Sequence, residues 1–374
     1  MKILILTNSI VGLYRFRKEL LYKFIENKHE VVVSCPNDDP KDYVLSLKNN
    51  GIEYLETFVD RRGINPLKDL KLLKNYLNII KIQDPDYVLT YTIKPNIYGS
   101  LASKLLRKKY INNVTGLGTS LQQDSLLSKI LKKMYKVSFS KSKCVFFQNQ
   151  INMNFFLKNK ILFSNEQNIK LIPGSGVNLE AFYPREKSLV DKKIRFLYIG
   201  RLMDEKGLKE YLECAKNIKE KNKNVEFQIL GPFEEKKYEE IIKKLEEKNI
   251  VNYLGVSTDI REQVKEVDCI INPSWHEGMS NVLLESGAMK KFLIASEIPG
   301  CKEIVINNKT GLTFKVKNEK SLEEEILKYL KLDEVEKENI IENCYEHIKN
   351  NFSREKVIEE YMKVIKEGGE IVVR

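Results

Sequence analysis

"RFLYIGRLMDEKGLKEYLECAK", Arg195–Lys216, begins as an unbroken apolar run, stops at Gly200 and passes directly into a helical pattern. A run without polar alternation reads as a strand buried on both faces, which is the mark of a parallel sheet covered by helices. The same punctuation recurs along the chain. "KILIL", "EVVVSC", "YVLTYT" and "CVFFQN" lie upstream, and "EFQILG", "DCIINP" and "FLIASE" follow, each separated from the next by a longer helical pattern. Between the two series lies "IKLIPGSGVNLEAFYP", a turn-rich passage with two prolines and two glycines, after which a fresh strand starts at Ile194. A chain of 374 residues also exceeds what one core usually holds. The reading is α/β: two doubly wound, Rossmann-like domains, residues 1–180 and 181–352, facing a cleft and joined near 174–190. The last stretch, "SREKVIEEYMKVIKEGGE", predicts a helix within 353–374, capped by Ser353 and stopped at Gly368–Gly369, that packs back on the first domain.

Composition narrows the function. No apolar run is long enough to cross a bilayer, and the amino terminus enters a strand without the pattern of a signal peptide, so a cytoplasmic chain is expected. Six scattered cysteines and only three histidines (His29, His276 and His347) argue against a structural metal site or disulfide framework, and the thiols read as buried and reduced. The net charge of +11 is uneven: residues 1–180 hold 28 basic against 15 acidic side chains. Between 101 and 150 ten basic residues face the single acid Asp124, which points to an anionic partner on that side.

In doubly wound sheets ligands bind beyond the carboxyl ends of the strands. That rule places Gly200 and Arg201 at a strand end, with Lys206 and Gly207 at the start of the next helix, where a guanidinium, an ammonium and backbone donors converge on an anion such as a diphosphate. Taken alone, the pair also reads as solvated surface residues. A second junction is "HEGMSNVLLE", His276–Glu285, with a helix start at Ser280 or Asn281. Eight helical residues would separate Glu277 from Glu285 by about 12 Å, too far for a cooperating carboxyl pair. Glu277 therefore reads as a loop carboxylate and Glu285 as one a turn inside the helix, with the amides of Gly278, Met279, Ser280 and Asn281 directed at an anion between them.

The combination of "GRLMDEKG" and, about seventy residues later, "PSWHEGMSNVLLESGA" resembles the signature of retaining glycosyltransferases of family 4, which have the two-domain GT-B fold. The similarity extends to "MKILILTNSIVGLYRFRKEL", "RRGINPLKDL", "YTIKPNIYGS" and "NVTGLGTS". It is greatest to bacterial enzymes that extend polyprenyl-diphosphate-linked saccharides for capsule, O-antigen or glycoprotein assembly. The resemblance implies that Arg201 and Lys206 neutralise a donor diphosphate, that Glu285 holds the ribose hydroxyls, that Glu277 contacts the sugar near its anomeric carbon, and that backbone around Gly231 and Val256 selects the base. It implies a UDP-sugar as co-substrate, with an N-acetylhexosamine favoured, and no metal or other cofactor. The D-x-D match at Asp84 and Asp86 precedes a strand and so stands at the wrong end for a metal-diphosphate site.

Two departures from the family pattern concern the first domain. The loops "YTIKPN" and "VTGLG" lack the histidine that many members carry, which leaves Lys94, Asn96, a backbone group or His276 in its place, and the amino-terminal loop has one glycine, Gly12. Tyr14, Arg15 and Arg17 follow the first strand, and Arg17 with Arg15 reads as a ligand for the acceptor's diphosphate or as ordinary solvated arginine. "SLLSKILKKMYKVSFSKSK" places Lys129, Lys132, Lys133 and Lys136 within one arc, opposite Leu127, Ile130, Leu131 and Met134. It reads either as a core helix with a solvated lysine face or as a surface that adsorbs to the anionic inner leaflet of the membrane. Three other functions fit less well. A GT-B nucleotide-sugar epimerase does not need a basic first domain, and a dinucleotide-dependent dehydrogenase lacks a G-x-G-x-x-G. A nucleic-acid partner is not expected, since no recognition module is present; a glycosyltransferase with a soluble acceptor remains as the nearest alternative.

Overall fold

The computed structural model describes the chain except residues 39–41, 62, 64, 118–120, 122–124, 164–167, 189–190, 192 and 368–374. Two compact units form, Met1–Ser175 with Glu355–Arg374, and Gly176–Arg354.

In the first unit the strands are β1 (Lys2–Leu6), β2 (Glu30–Cys35), β3 (Ile52–Glu56), β4 (Tyr87–Tyr91), β5 (Lys109–Val114), β6 (Cys144–Phe147) and β7 (Ile169–Leu171). They lie in the order β3-β2-β1-β4-β5-β6-β7, every pair parallel. The central strands are apolar on both faces because helices cover both, and Ile3, Leu4, Ile5 and Leu6 are all buried. The strand order reverses between β1 and β4, so the loops after those two strands splay apart and open a crevice. After β1 comes the helix Ile10–Glu26, capped by Ser9, whose Oγ accepts the Gly12 amide at 3.1 Å.

The second unit repeats the plan with β8 (Ile194–Ile199), β9 (Val225–Leu230), β10 (Val251–Tyr253), β11 (Cys269–Asn272), β12 (Phe292–Ser296) and β13 (Leu312–Phe314), in the order β10-β9-β8-β11-β12-β13. Its reversal falls between β8 and β11.

The unit boundary lies earlier than residue 180. The Val177 amide donates to Phe352 O at 2.8 Å, the Arg354 amide donates to Val177 O at 2.9 Å, and Val177 is buried among second-unit residues such as Leu197 and Leu283. The passage from 176 onward is thus tied to the second unit by backbone bonds that its turn-rich composition does not advertise. The helix Arg354–Glu367 belongs to the first unit, where Val357, Tyr361, Val364 and Ile365 enter the same core as Ile3, Ile5 and Phe146. Its expected stop at Gly368–Gly369 lies outside the described residues, as does Asp124. All six cysteines are buried and free. Burial pushes the thiols of Cys35 and Cys344 up to about 12, which keeps them protonated and unreactive.

Candidate active site

The reversal between β8 and β11 brings the two motif loops of the second unit together. β8 ends at Ile199, and after Gly200, Arg201, Leu202 and Met203 the chain makes one 3-10 turn, Asp204–Lys206, ended by Gly207 at φ 69°. That left-handed turn lies against the end of β11 so closely that a Cβ on residue 207 would stand 1.9 Å from Pro273 O. Only glycine permits both the backbone angle and the approach. The result is contact between the loops: Lys206 Nζ lies 2.5 Å from Glu277 Oε1, which also accepts the Ser274 hydroxyl at 2.8 Å. Both partners are largely enclosed, with side chains 22% and 16% exposed.

The loop that carries Glu277 is anchored on the turn that carries Lys206. The Trp275 amide donates to Glu205 O at 3.0 Å, and its indole Nε1 donates to Glu210 Oε1 at 3.0 Å. His276 Nε2 stands 3.4 Å from Glu205 Oε2, and Lys317 Nζ sits 4.1 Å over the Trp275 ring. No local sequence rule singles out Ser274, Glu205, Glu210 or Trp275. The nearest signal was the position of Glu210 on the inward face of the helix Leu208–Lys221, alongside Tyr211 and Cys214. Asp204 is turned away from this site by Lys237 and Tyr238, and the Lys237 ammonium holds its carboxyl below the usual range.

Arg201 is placed differently from Lys206. Its guanidinium is half-exposed and lies 3.6 Å from Glu234, so the two cations of the motif have separate carboxylate partners. Glu285 is buried on the helix Asn281–Ala288. Ser280 caps that helix, but its own amide already donates to Gly300 O at 2.9 Å. Ser280 therefore drops out of the expected set of anion-facing amides, because the loop ending in Gly300 occupies it. Met279 is buried in the core. A Cβ on Gly231, at φ 148°, would lie 1.8 Å from Gly200 O, so the loops after β8 and β9 touch through backbone. Val256 stands exposed after β10.

The acceptor-side expectations require correction. Arg17 is buried, not directed into a crevice: its guanidinium lies 5.3 Å over the Tyr91 ring, and Nη1 donates to Phe16 O at 2.9 Å. It occupies the inward stripe of its helix with Leu13, Leu20, Leu21 and Phe24, and that periodicity decides its place. Tyr14 stacks on Tyr43 at 4.3 Å and bonds Ser46 at 2.9 Å, so helix packing consumes it. Arg15 lies 5.4 Å over Phe16. Asn96 is buried, accepting from Thr90 Oγ1 at 2.7 Å and donating to Asn113 O at 2.8 Å. It serves a polar network between β4 and β5 that Tyr361 joins through Asn113. Gly12 sits within a helix, its amide donating to Ser9 Oγ at 3.1 Å, and a Cβ there would meet no protein atom closer than 3.6 Å. Lys94 lines a cavity and is paired with Asp69 at 2.6 Å.

On the helix Leu126–Phe139, Lys129, Lys133 and Lys136 are exposed and Lys132 is half-buried, 5.2 Å over Phe155. Ile130 is not on the packed side: with Leu126 and Val137 it is exposed and borders the lysines, while Tyr135 and Phe139 fill the core. No helix among the described residues is long and apolar enough to cross a membrane.

Comparison with known proteins matches both halves of this arrangement. Residues 2–149 match the family described as glycosyl transferase 4-like, and residues 180–347 match glycosyl transferases group 1. Along 98% of this chain and 100% of the relative, the sequence is 29% identical to the N,N'-diacetylbacillosaminyl-diphospho-undecaprenol alpha-1,3-N-acetylgalactosaminyltransferase of Campylobacter jejuni. It is also 29% identical to the UDP-Gal:alpha-D-GlcNAc-diphosphoundecaprenol alpha-1,3-galactosyltransferase of Escherichia coli, over 67% of each chain. The crystal structure of Anabaena HepE in complex with UDP and glucose superposes with a TM-score of 0.79 at 16% identity, covering 98% of this chain and 99% of that one. With both sheets, their reversals and both family matches in the same order, the chain is a glycosyltransferase of the GT-B fold, its first half of the 4-like family and its second of group 1.

Proposed function

We propose that this enzyme transfers a sugar, an N-acetylhexosamine, from a UDP-sugar to a polyprenyl-diphosphate-linked saccharide, with retention and without a metal ion, at the inner face of the cytoplasmic membrane. The observation that carries the reading is the enclosed Lys206–Glu277 pair at the reversal of the second sheet. Breaking a glycosyl phosphate bond develops negative charge on the leaving diphosphate and positive charge on the sugar ring. A fixed ammonium at Lys206 stabilises the first, with the Arg201 guanidinium one strand-end away as a second cation. Glu277, held by Lys206 and Ser274, keeps an acceptor oxygen beside the sugar hydroxyls near the anomeric carbon. Glu285, inside the following helix, serves the ribose.

Charge supplied by Lys206 and Arg201 does the work a divalent ion does elsewhere, which supports metal independence. Retention asks for no carboxylate base in this reading, because a donor phosphate oxygen takes the acceptor's proton. The lipid-linked acceptor and the UDP donor are favoured by what the two relatives' names specify for those proteins. Lipid proximity is further supported by the helix Leu126–Phe139, whose exposed side mixes Lys129, Lys133 and Lys136 with Leu126, Ile130 and Val137, a mixture suited to an anionic interface. The test is UDP release and product analysis with a UDP-N-acetylhexosamine and a prenyl-diphosphate-linked saccharide in the presence of EDTA. Turnover that requires added metal removes the metal-independent part, and an inverted product anomer removes retention.

A further inference from the structure

The first unit contains a cavity of about 210 Å³ at the carboxyl ends of β1, β4 and β5, lined by Asn8, Arg61, Thr92, Lys94, Thr115 and Gly116 among others. It sits where the strand order reverses between β1 and β4, the crevice in which such sheets take ligands. We propose that this cavity is a diphosphate site with Arg61 as its principal ligand, and that the diphosphate it takes is the one joining lipid to saccharide in the acceptor. The assignment rests on the acceptor class proposed above.

Thr92 is the first mark of a built site. A β-branched residue is held at φ 71°, in the left-handed region, directly after β4. That conformation costs on the order of 1–2 kcal/mol and persists where the surroundings impose it. Its hydroxyl is enclosed and has no hydrogen-bond partner among the described residues, and Thr92 itself lines the cavity.

The two cations provide the second mark. Arg61 is fixed to the loop after β1 by Nε donating to Asn8 O at 2.7 Å, and its Nη2 meets Asp38. Asp38 in turn accepts the Ser9 hydroxyl and the Ile10 amide, each at 2.8 Å. Burial pulls the Asp38 carboxyl upward, but the hydrogen bonds from Ser9, Ile10 and Arg61 prevail and hold it below its usual range, so it remains charged. Those contacts engage two of the five N–H donors of the guanidinium. Lys94 is likewise backed by Asp69. With each cation already facing one carboxylate, a singly charged ligand gains little. A diphosphate, with charged oxygens on both phosphorus atoms, engages Arg61 and Lys94 together.

The source of the diphosphate follows from size and surroundings. About 210 Å³ falls below the roughly 300–1,000 Å³ that drug-sized ligands occupy, and suits a diphosphate without a nucleoside. Segments flanking the site expose apolar side chains: Phe58 precedes the cavity-lining Val59, and Leu67 and Leu70 bracket Asp69, the partner of Lys94. These are 69%, 78% and 63% exposed, an arrangement that complements an isoprenoid attached to the anion.

The experiment is calorimetric titration of the full chain with farnesyl diphosphate and, separately, with UDP. Arg61→Ala is expected to weaken farnesyl diphosphate by about tenfold or more, the loss of one charged hydrogen-bonding partner, with UDP affinity unchanged. Thr92→Gly, which relieves the backbone and removes the hydroxyl, is expected to weaken farnesyl diphosphate by about threefold while the melting temperature holds or rises. Arg61→Lys keeps the charge and guards against a folding artefact; it is expected to fall between wild type and Arg61→Ala at an unaltered melting temperature. Unchanged farnesyl diphosphate affinity in Arg61→Ala and Thr92→Gly overturns the site while leaving the acceptor class standing. Loss of UDP affinity instead assigns the cavity to the donor and also overturns it. A wild-type chain that ignores farnesyl diphosphate yet glycosylates a soluble saccharide overturns the acceptor class itself.

Discussion

Replacing Lys206 by alanine separates what the ammonium does for folding from what it does for catalysis. In the unliganded protein Lys206 neutralises Glu277 at 2.5 Å, and removal leaves that carboxylate with the Ser274 hydroxyl. Breaking a fully buried pair costs about 3–5 kcal/mol. Here the side chains retain 22% and 16% exposure, so water reaches the abandoned charge and the cost falls to about 1–2 kcal/mol. The catalytic loss is larger, because a donor aimed at developing charge contributes about 100- to 1,000-fold in kcat. Chemical denaturation gives the first quantity, and kcat at saturating donor on the folded protein gives the second. Lys206→Ala combined with Glu277→Ala then completes the cycle. Stability returns toward wild type because no orphaned carboxylate remains, while kcat stays at or below that of Lys206→Ala. The reasoning is refuted if Lys206→Ala lowers kcat by less than about tenfold, or if the double variant regains activity along with stability.

Three further outcomes follow from particular contacts. Gly207→Ala places a methyl 1.9 Å from Pro273 O at φ 69°, so the two motif loops must part; activity is expected to fall by more than tenfold for a stability loss of about 1–3 kcal/mol, and a variant that retains activity shows the approach is not needed. Replacing Lys129, Lys133 and Lys136 by glutamine removes roughly 1 kcal/mol each of attraction to an anionic bilayer, so flotation with phosphatidylglycerol vesicles drops by about 100-fold; equal binding of wild type to neutral vesicles contradicts the account. Lys291 is buried, its Nζ donating to Lys265 O at 2.7 Å, and burial lowers its pKa to about 8. Between about 8 and 10.5 the unfolded chain binds the extra proton, so this residue adds stability as pH rises through that window. The difference in unfolding free energy between wild type and Lys291→Met therefore shifts in favour of wild type from pH 8 to 10, and a pH-independent difference contradicts the assignment.

The strands that were legible in the sequence are those apolar on both faces. "KILIL", "RFLYIG" and "DCIINP" correspond to β1, β8 and β11, the strands that border both strand-order reversals together with β4. The strands that were not legible fail that pattern for physical reasons. β5, "KYINNV", carries Asn112 and Asn113 in its middle, held by a network with Thr90, Asn96 and Tyr361 that no local rule foresees. β7, β10 and β13 are three-residue edge strands that need little apolar sequence. At the site, "GRLMDEKG" and "HEGMSNVLLE" located Lys206 and Glu277, but their pairing across 71 positions is a tertiary fact. Arg17 is the instructive error. Its spacing with Leu13, Leu20, Leu21 and Phe24 places it on the buried stripe, and a charge invites a ligand reading that helical period overrules. Arg61 and Thr92 lie within "RRGINPLKDL" and "YTIKPNIYGS", passages that share in the family resemblance, but no local rule gives either a role, since one depends on a loop brought beside β1 and the other on a backbone angle.

The central claim is that the enclosed Lys206–Glu277 pair serves sugar transfer from a UDP-sugar to a lipid-linked saccharide. Its most direct test is a single reaction: purified full-length chain, a UDP-N-acetylhexosamine radiolabelled in the sugar, and a prenyl-diphosphate-linked saccharide in mixed micelles, followed by extraction of the lipid product. The account predicts label in the lipid fraction in one-to-one ratio with UDP released, lost on Lys206→Ala. Label that stays in the aqueous phase as free or epimerised sugar, or transfer that proceeds equally well with Lys206→Ala, contradicts it.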